Sequence, residues 1–292
     1  MTFTHKIKYL TALVVISACL CAIVLSCATK STEKQSITVS IQPQKYMLEK
    51  ITGDKWDIKC LLSNGANPEF YDPSLSHLIN LENCKAYFRI GNIGFESAIL
   101  NKVRNSNPDL KIYDNSEGIA LISGTHGHAL ETDPHTWTSV RNAKMIANNM
   151  FKAVVELDPS NKEYYSRHFK SFLTELDSLD ANISTMLEPL RGQAFLVWHP
   201  SLSYFARDYG LEQISLDTEN KESSILRLQN GIDHARSLNA RVFFFQKDMD
   251  SRQAQAVNQQ IGAEIVNINP LSYDWKEQIL IIADAIASAH NN

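Results

Sequence analysis

The sequence is poor in cysteine, and this scarcity limits the kinds of metal site that it can form. Five cysteines occur in 292 residues, and three of them lie within the first 27. Only Cys60 and Cys84 follow that segment, and no pair has the CxxC spacing of a cysteine-based zinc site. Their separation in the sequence is compatible with two buried thiols or with one disulfide, so both alternatives remain open.

Several catalytic motifs and an excess of basic charge are also absent. The sequence contains no HExxH, no Gly-x-Ser-x-Gly nucleophile turn and no phosphate-binding loop. It has 28 basic and 32 acidic side chains, which give a net charge of −4. A nucleic-acid partner would favour a basic face, so this balance argues against one.

Residues 1–26 have the layout of an export signal. His5, Lys6 and Lys8 precede an almost entirely apolar run from Tyr9 to Leu25. Removing this segment takes away two basic and no acidic residues, which changes the net charge from −4 to −6. About 265 residues remain, enough for two lobes of about 120 residues each.

The end of this segment predicts a lipid anchor. Val24-Leu25-Ser26-Cys27 resembles a bacterial lipobox, so we expect acylation of Cys27, followed by a flexible tether over residues 27–36. Cys19 fits the local pattern as well, but cleavage there would leave the apolar residues 20–25 exposed to water. An uncleaved membrane anchor is the alternative, because the apolar run approaches the length of a spanning helix.

From Ile37 onward, short β-rich runs alternate with amphipathic helical runs. This alternation predicts an α/β fold with two lobes, each a parallel sheet wrapped by helices. Among the predicted helices, one is expected to begin at Asp72 as its N-cap. In such sheets ligands bind beyond the carboxyl ends of the strands, where we expect the loops around Glu69 and His135 to lie.

One long helix is predicted between the two lobes. Ser160 to Glu163 has the pattern of a capping box, and a stripe of apolar residues continues to Leu190 over roughly 40 Å. We interpret the helix as a strut between an N-terminal lobe, 37–159, and a C-terminal lobe, 191–292, in a single chain. The alternative is the seam of a coiled-coil dimer.

A loop from Ser123 to Trp137 contains a third of the nine histidines. His126, His128 and His135 occur there together with two carboxylates. Imidazole and carboxylate are common protein ligands of divalent transition metals, so the loop indicates metal capture. A solvated surface loop is the alternative.

Four segments of the chain resemble the ligand-bearing segments of a known family. In order, they are Gly65-Ala-Asn-Pro-Glu69-Phe-Tyr-Asp-Pro73, Asp133-Pro-His-Thr-Trp137, Trp198-His-Pro200 followed by Tyr204-Phe-Ala-Arg-Asp-Tyr-Gly-Leu211, and Asn269-Pro-Leu271. They are similar to the segments of the zinc- and manganese-binding lipoproteins of bacterial metal-uptake ABC transporters (cluster A-I). The likeness extends over nearly the whole mature chain.

The resemblance implies a metal ion in a cleft between the lobes, with two ligands from each lobe. His135 and His199 match the family pattern, whereas Glu69 replaces a histidine and Asn269 replaces an aspartate. Glu69 supplies a harder, charged oxygen, which shifts preference toward manganese or iron(II). Asn269 retains an oxygen but loses the charge, so it is a weak ligand. His126 and His128 resemble a shortened accessory loop of the zinc-binding members.

The function implied by the resemblance is transport and not catalysis. The chain would be a solute-binding lipoprotein, anchored outside the cytoplasm, that captures a divalent metal, with zinc favoured over manganese or iron. It would deliver that metal to an ABC permease and its ATPase. Two other hypotheses remain open: a hydrolase or oxygenase that uses a His-His-Glu site, and a paralogue that has lost transport and acts as an adhesin.

Overall fold

Two four-stranded parallel sheets form the frame of the molecule. The strands of the first sheet are β1 (Ser36–Val39), β2 (Asp57–Cys60), β3 (Ala86–Arg89) and β4 (Lys111–Asp114). They lie side by side in the order β2-β1-β3-β4, and all the neighbouring pairs are parallel. For example, Ile37 of β1 pairs with Ile58 of β2 on one side and with Ala86 of β3 on the other.

The second sheet repeats this arrangement. Its strands are β5 (Ala194–Val197), β6 (Glu212–Ser215), β7 (Val242–Gln246) and β8 (Glu264–Ile268). Their order is β6-β5-β7-β8, again with parallel neighbours. The two sheets confirm the predicted α/β fold with two lobes, although the sequence shows no clear internal repeat.

Helices connect the strands and cover the sheets. They are α1 (Gln42–Thr52), α2 (Leu75–Asn83), α3 (Gly94–Ser106), α4 (Val140–Leu157), α5 (Lys162–Leu187), α6 (Ser203–Tyr209), α7 (Ser224–Ser237), α8 (Ser251–Ile261) and α9 (Trp275–Asn291). Short 3₁₀ turns at Thr136–Thr138, Pro159–Asn161 and Glu188–Leu190 precede or follow the longer helices.

The structure, a computed structural model, describes residues 34–62, 71, 74–123, 132–216, 224–246 and 251–291. Within it, Gln35–Asn292 forms one compact unit. The predicted signal segment 1–26 and the acylation site Cys27 lie outside the described residues. Among the helices of the described ranges, none has the length and apolar character needed to cross a membrane.

The two faces of the second sheet pack into different apolar clusters, as alternation along a strand requires. In β5, Phe195 and Val197 belong to a large core that also contains residues of the first sheet, such as Ile37. Ala194 and Leu196 belong to a smaller cluster on the opposite face. The large core therefore extends through both lobes.

The long helix α5 presents its predicted apolar stripe to that shared core. The members of that stripe buried within the chain are Tyr165, Phe172, Leu176, Leu179 and Ile183, and Leu187 is buried on the same helix. The helix packs against α1, α4 and α9, and so contacts elements from both lobes. Since the stripe is already covered by the chain itself, the alternative of a coiled-coil seam is wrong.

Three predicted helix boundaries differ from the structure. Helix α2 begins at Leu75 with Ser74 as its N-cap, so the prediction of Asp72 as N-cap is wrong. The capping box at Ser160 is also wrong, because the Ser160 hydroxyl donates back to Asp158 and a 3₁₀ turn precedes α5. The α-helix ends at Leu187 and not at Leu190, because Pro189 disfavours the helical conformation of the residue before it. A second 3₁₀ turn, Glu188–Leu190, follows.

Cys60 and Cys84 are free thiols and form no disulfide with each other. Cys84 is buried, and Cys60 is half-buried at the end of β2. Burial raises the pKa of the Cys60 thiol to about 12 and also raises the pKa of Cys84. Both side chains therefore stay protonated near neutral pH, and the structure favours two free thiols over a disulfide.

Candidate metal centre

His135 lies in a buried turn between the first sheet and helix α4. It directly precedes the 3₁₀ turn Thr136–Thr138, and its carbonyl accepts the amide of Thr138 at 3.1 Å. The carboxylate of Asp133 also stabilises this turn by contacts with His135. Its Oδ1 atom lies 2.8 Å from the backbone nitrogen of His135 and 2.8 Å from the ring nitrogen Nδ1.

Asp133 is suited to orient the imidazole as a metal ligand. Burial alone would raise the pKa of Asp133, but the hydrogen bonds and charge of His135 and a hydrogen bond from Ser203 outweigh it, so the pKa is lowered. The carboxylate is therefore ionised near neutral pH and can accept a hydrogen bond from Nδ1–H of His135. In that tautomer the imidazole binds a metal through Nε2, as in carboxylate-histidine-metal arrangements.

His199 lies beyond the carboxyl end of the buried strand β5, in the other lobe. Its ring centroid is 5.2 Å from that of His135, and the two rings are nearly perpendicular, at 72°. Both side chains are buried. The local turn is fixed by the amide of Ser201, which donates to the carbonyl of His199 at 2.8 Å. The structure thus brings together one predicted ligand from each lobe.

Asn269 follows strand β8 and is half-buried. Its side-chain oxygen accepts the backbone amide of Leu271 at 3.2 Å, and its backbone amide donates to the side-chain oxygen of Gln278 at 2.8 Å. The adjoining carbonyl of Pro270 accepts the indole N–H of Trp137 at 2.9 Å. This bond joins the Asn269 segment to the 3₁₀ turn that follows His135.

Three predicted site residues, Glu69, His126 and His128, lie outside the described residues, so their roles remain predictions. Within the ranges that the structure does describe, no group of three or more histidine, cysteine, aspartate or glutamate side chains could hold a metal ion. The part of the site that is described consists of the His135–His199 pair, the carboxylate of Asp133 beside it and the nearby Asn269 segment.

Sequence reasoning missed two residues of this site. Asp133 was part of the Asp-Pro-His motif, but no role followed from the motif; its position two residues before a histidine was the available signal. Tyr204 is fully buried, and its hydroxyl donates to the carbonyl of Asp133 at 2.7 Å. No local pattern indicates that contact, because 71 residues separate the two positions.

A family model matches most of the chain. The model of the periplasmic component A of zinc-uptake complexes, ZnuA, covers residues 37–284. The chain belongs to the ZnuA family. Membership confirms the resemblance drawn from the four segments and does not favour a metal-dependent hydrolase or oxygenase.

The relatives include proteins named for zinc and for manganese. The high-affinity zinc uptake system protein ZnuA of Bacillus subtilis is 25% identical over 93% of this chain and 91% of its own length. The manganese ABC transporter substrate-binding lipoprotein PsaA of Streptococcus anginosus is 23% identical, over 74% of each chain. A solved structure of a ZnuA deletion mutant with zinc bound superposes with a TM-score of 0.82 at 36% identity, covering 88% of this chain and 98% of the other.

A manganese-bound periplasmic metal-binding protein from candidatus Liberibacter asiaticus shares the fold. It superposes with a TM-score of 0.77 at 21% identity and covers 87% of this chain and all of its own. The ZnuA-family fold is therefore found in proteins solved with zinc and in proteins solved with manganese.

Proposed function

We propose that this chain is an extracytoplasmic solute-binding protein that captures a divalent transition metal between its lobes and delivers it to an ABC permease. The observation that carries this proposal is the buried pair of His135 and His199, with ring centroids 5.2 Å apart. Each histidine comes from a different lobe, and the carboxylate of Asp133 orients one of them. The names of the ZnuA-family relatives support the transport role.

The ligand set we propose consists of Glu69, His135, His199 and Asn269. Two imidazoles and one carboxylate form a zinc-binding set, with one position left for a weaker ligand. Asn269 is the weak ligand, because its oxygen is neutral and already accepts the amide of Leu271. Zinc is the favoured cargo, and the oxygen of Glu69 also permits manganese or iron(II). His126 and His128 are proposed as accessory captors.

The protein is proposed to act in the cell envelope, outside the cytoplasm, as a monomer held by a lipid on Cys27. Its partners would be an ABC permease and the ATPase of that permease. The bulk of the apolar stripe on α5 is covered by the chain itself, which supports the monomeric state. The acidic net charge of −4 supports a cationic cargo over a nucleic-acid partner.

The proposal is tested by titrating metal-free protein with zinc, manganese and iron(II) in a calorimeter. We expect tight binding by the wild type and loss of high-affinity binding in His135→Ala and in His199→Ala. Asn269→Asp should bind more tightly, because it restores a charged oxygen. His234→Ala is the matched control, since His234 is exposed and bonded to Glu212. Failure of the wild type to bind any of the three metals would overturn the proposal.

A further inference from the structure

Helix α6 follows His199 in the C-terminal lobe and bonds to the N-terminal segments that carry His135. Tyr204, on the first turn of α6, is fully buried. Its hydroxyl accepts the amide of Ile122 at 3.2 Å and donates to the carbonyl of Asp133 at 2.7 Å. A single phenolic oxygen therefore joins the segment that leads away from His199 to the turn that holds His135.

Two further residues of α6 bond to the same region. The carboxylate of Asp208 accepts the hydroxyl of Ser139 and, at 2.9 Å, the Nε of Arg207. The guanidinium of Arg207 also donates to the carbonyl of Ala120 at 3.0 Å and to Asn142 at 3.2 Å. We call Tyr204, Arg207 and Asp208 the interlobe latch. Their partners lie on both sides of His135 in the sequence.

The position of Tyr204 relative to the two histidines gives it a specific role. The Tyr204 hydroxyl donates a hydrogen bond to the backbone carbonyl of Asp133, and the carboxylate of the same residue contacts the backbone nitrogen and Nδ1 of His135. Zinc requires each ligand nitrogen at about 2.0–2.1 Å, so a small shift of one imidazole against the other weakens binding. A bond between the two segments fixes that separation.

We propose that Tyr204 is a positioning residue that holds His135 and His199 at a metal-binding separation before the metal arrives. The inference rests on the proposed function, because it concerns the same pair of histidines. Arg207 and Asp208 restrain the helix that carries Tyr204. The metal thus meets a preformed half of its site, and little ordering of these two ligands is needed on binding.

The test uses two variants of one helix. Tyr204→Phe removes the hydroxyl and keeps the ring, which also contacts the Arg207 guanidinium at 5.1 Å from the ring centroid. Tyr209→Phe is the matched control. Tyr209 is also buried on α6, but its hydroxyl donates to Asp180 on α5 at 3.2 Å and not to Asp133. Tyr204→Phe loses the two hydrogen bonds of its hydroxyl, and Tyr209→Phe loses one interelement hydrogen bond of the same kind.

The measurements are zinc affinity by chelator competition and the visible absorption spectrum of the cobalt(II) form. We expect Tyr204→Phe to bind zinc at least about tenfold more weakly and to change the cobalt spectrum. Tyr209→Phe should match the wild type in both. Arg207→Lys, which loses the forked contacts of the guanidinium, should weaken zinc binding in the same direction.

The possible outcomes separate the two proposals. Wild-type affinity and an unaltered cobalt spectrum in Tyr204→Phe would overturn the role of Tyr204 while the proposed function stands. Equal losses in Tyr204→Phe and Tyr209→Phe would also overturn it, because the effect would then be general to α6. No metal binding by the wild type would overturn both proposals. If Tyr204→Phe does not fold by circular dichroism, Arg207→Lys decides by the same criteria.

Discussion

The carboxylate of Asp133 contacts His135 twice, at the backbone nitrogen and at the ring nitrogen Nδ1. Asp133→Asn keeps the shape of the side chain but removes the charge that stabilises a proton on Nδ1. We expect zinc affinity to fall by about 10–100-fold, the usual effect of losing an outer partner of a metal-binding histidine. Chelator competition at neutral pH measures this change.

Asp158→Asn is the control for that prediction. Asp158 also accepts several side-chain hydrogen bonds, from Ser160, Asn161 and Tyr165. Unlike Asp133, it lies directly before the 3₁₀ turn that precedes α5. It should affect stability and leave zinc affinity unchanged. Wild-type zinc affinity in Asp133→Asn would contradict the orienting role of the carboxylate.

Glu96 is a buried carboxyl group whose titration should be visible in stability. It accepts the amides of Ile90 at 2.7 Å and Gly91 at 2.9 Å, and also the hydroxyl of Ser40. Burial raises the pKa of Glu96 to about 7, although these hydrogen bonds and the charge of Arg89 act to lower it. The folded state therefore keeps a proton that the unfolded chain releases at lower pH.

This difference sets the sign of a pH effect. The contribution of protonated Glu96 is fully present below the unfolded pKa and is lost as pH rises through the folded pKa near 7. The wild type should lose stability as pH rises from about 5 to 8, whereas Glu96→Gln does not titrate at this position. The difference in unfolding free energy, variant minus wild type, should therefore increase by on the order of 2 kcal/mol over this range. Urea unfolding across this range measures the difference, and a constant difference would refute the prediction.

The two histidines of the candidate site were predicted because their segments resemble those of the family, and the structure brings their rings together. His135 follows Asp-Pro, and His199 ends an apolar run before a proline. The contact between Tyr204 and Asp133 could not be predicted in this way, because it depends on how two lobes pack. Hydrogen bonds across 71 residues leave no periodic signal in the chain.

Among the elements, α5 shows which features local patterns can and cannot determine. The apolar spacing predicted both its existence and its buried face, because a stripe at helical period needs a covering surface. Its ends were predicted less well. The side chains of Ser160 and Asn161 bond to Asp158 instead of capping α5, and a competition between such local bonds cannot be read from residue types alone.

Glu175 on α5 joins elements from both lobes. It accepts Lys50 of α1 at 3.0 Å and Lys276 of α9 at 2.9 Å. Although burial acts to raise the pKa of Glu175, the two lysines outweigh it, so the pKa is lowered. Its stabilisation is thus present above the unfolded pKa and lost as pH falls through the folded pKa.

Glu175→Gln should lower the unfolding free energy by about 1 kcal/mol near neutral pH, because three partly exposed charges form one network. The loss should shrink at high salt, which screens such pairs. Urea unfolding at low and high salt gives both values. Glu188→Gln is the control, since its pair with Arg191 is exposed and spans 3.8 Å. An equal loss in both variants would contradict a special role of the network.

At the scale of the whole molecule, the duplicated strand order explains why the candidate site brings together a histidine from each half. The order β2-β1-β3-β4 recurs as β6-β5-β7-β8, so each lobe presents the carboxyl ends of parallel strands at one edge. The alternation of strands and helices was sufficient to predict this class of fold. The positions of the lobe boundaries at 159/160 and 190/191 remain predictions, since one apolar core crosses between the halves.

The shared core also predicts how the molecule responds to its metal. Opening the lobes by a wide hinge would expose core residues on both sides of α5 and would break the interlobe latch at Tyr204. Exposing apolar surface costs about 25 cal/mol per Å², so the lobes should keep nearly the same arrangement with and without zinc. We therefore expect small-angle X-ray scattering to give equal radii of gyration for the metal-free and zinc-loaded protein.

Thermal unfolding should still shift upward with zinc, because a ligand that binds only the folded state stabilises it. A clear decrease in the radius of gyration on zinc binding would show that the lobes close by a hinge, and it would contradict the restraint that α5 and the interlobe latch impose.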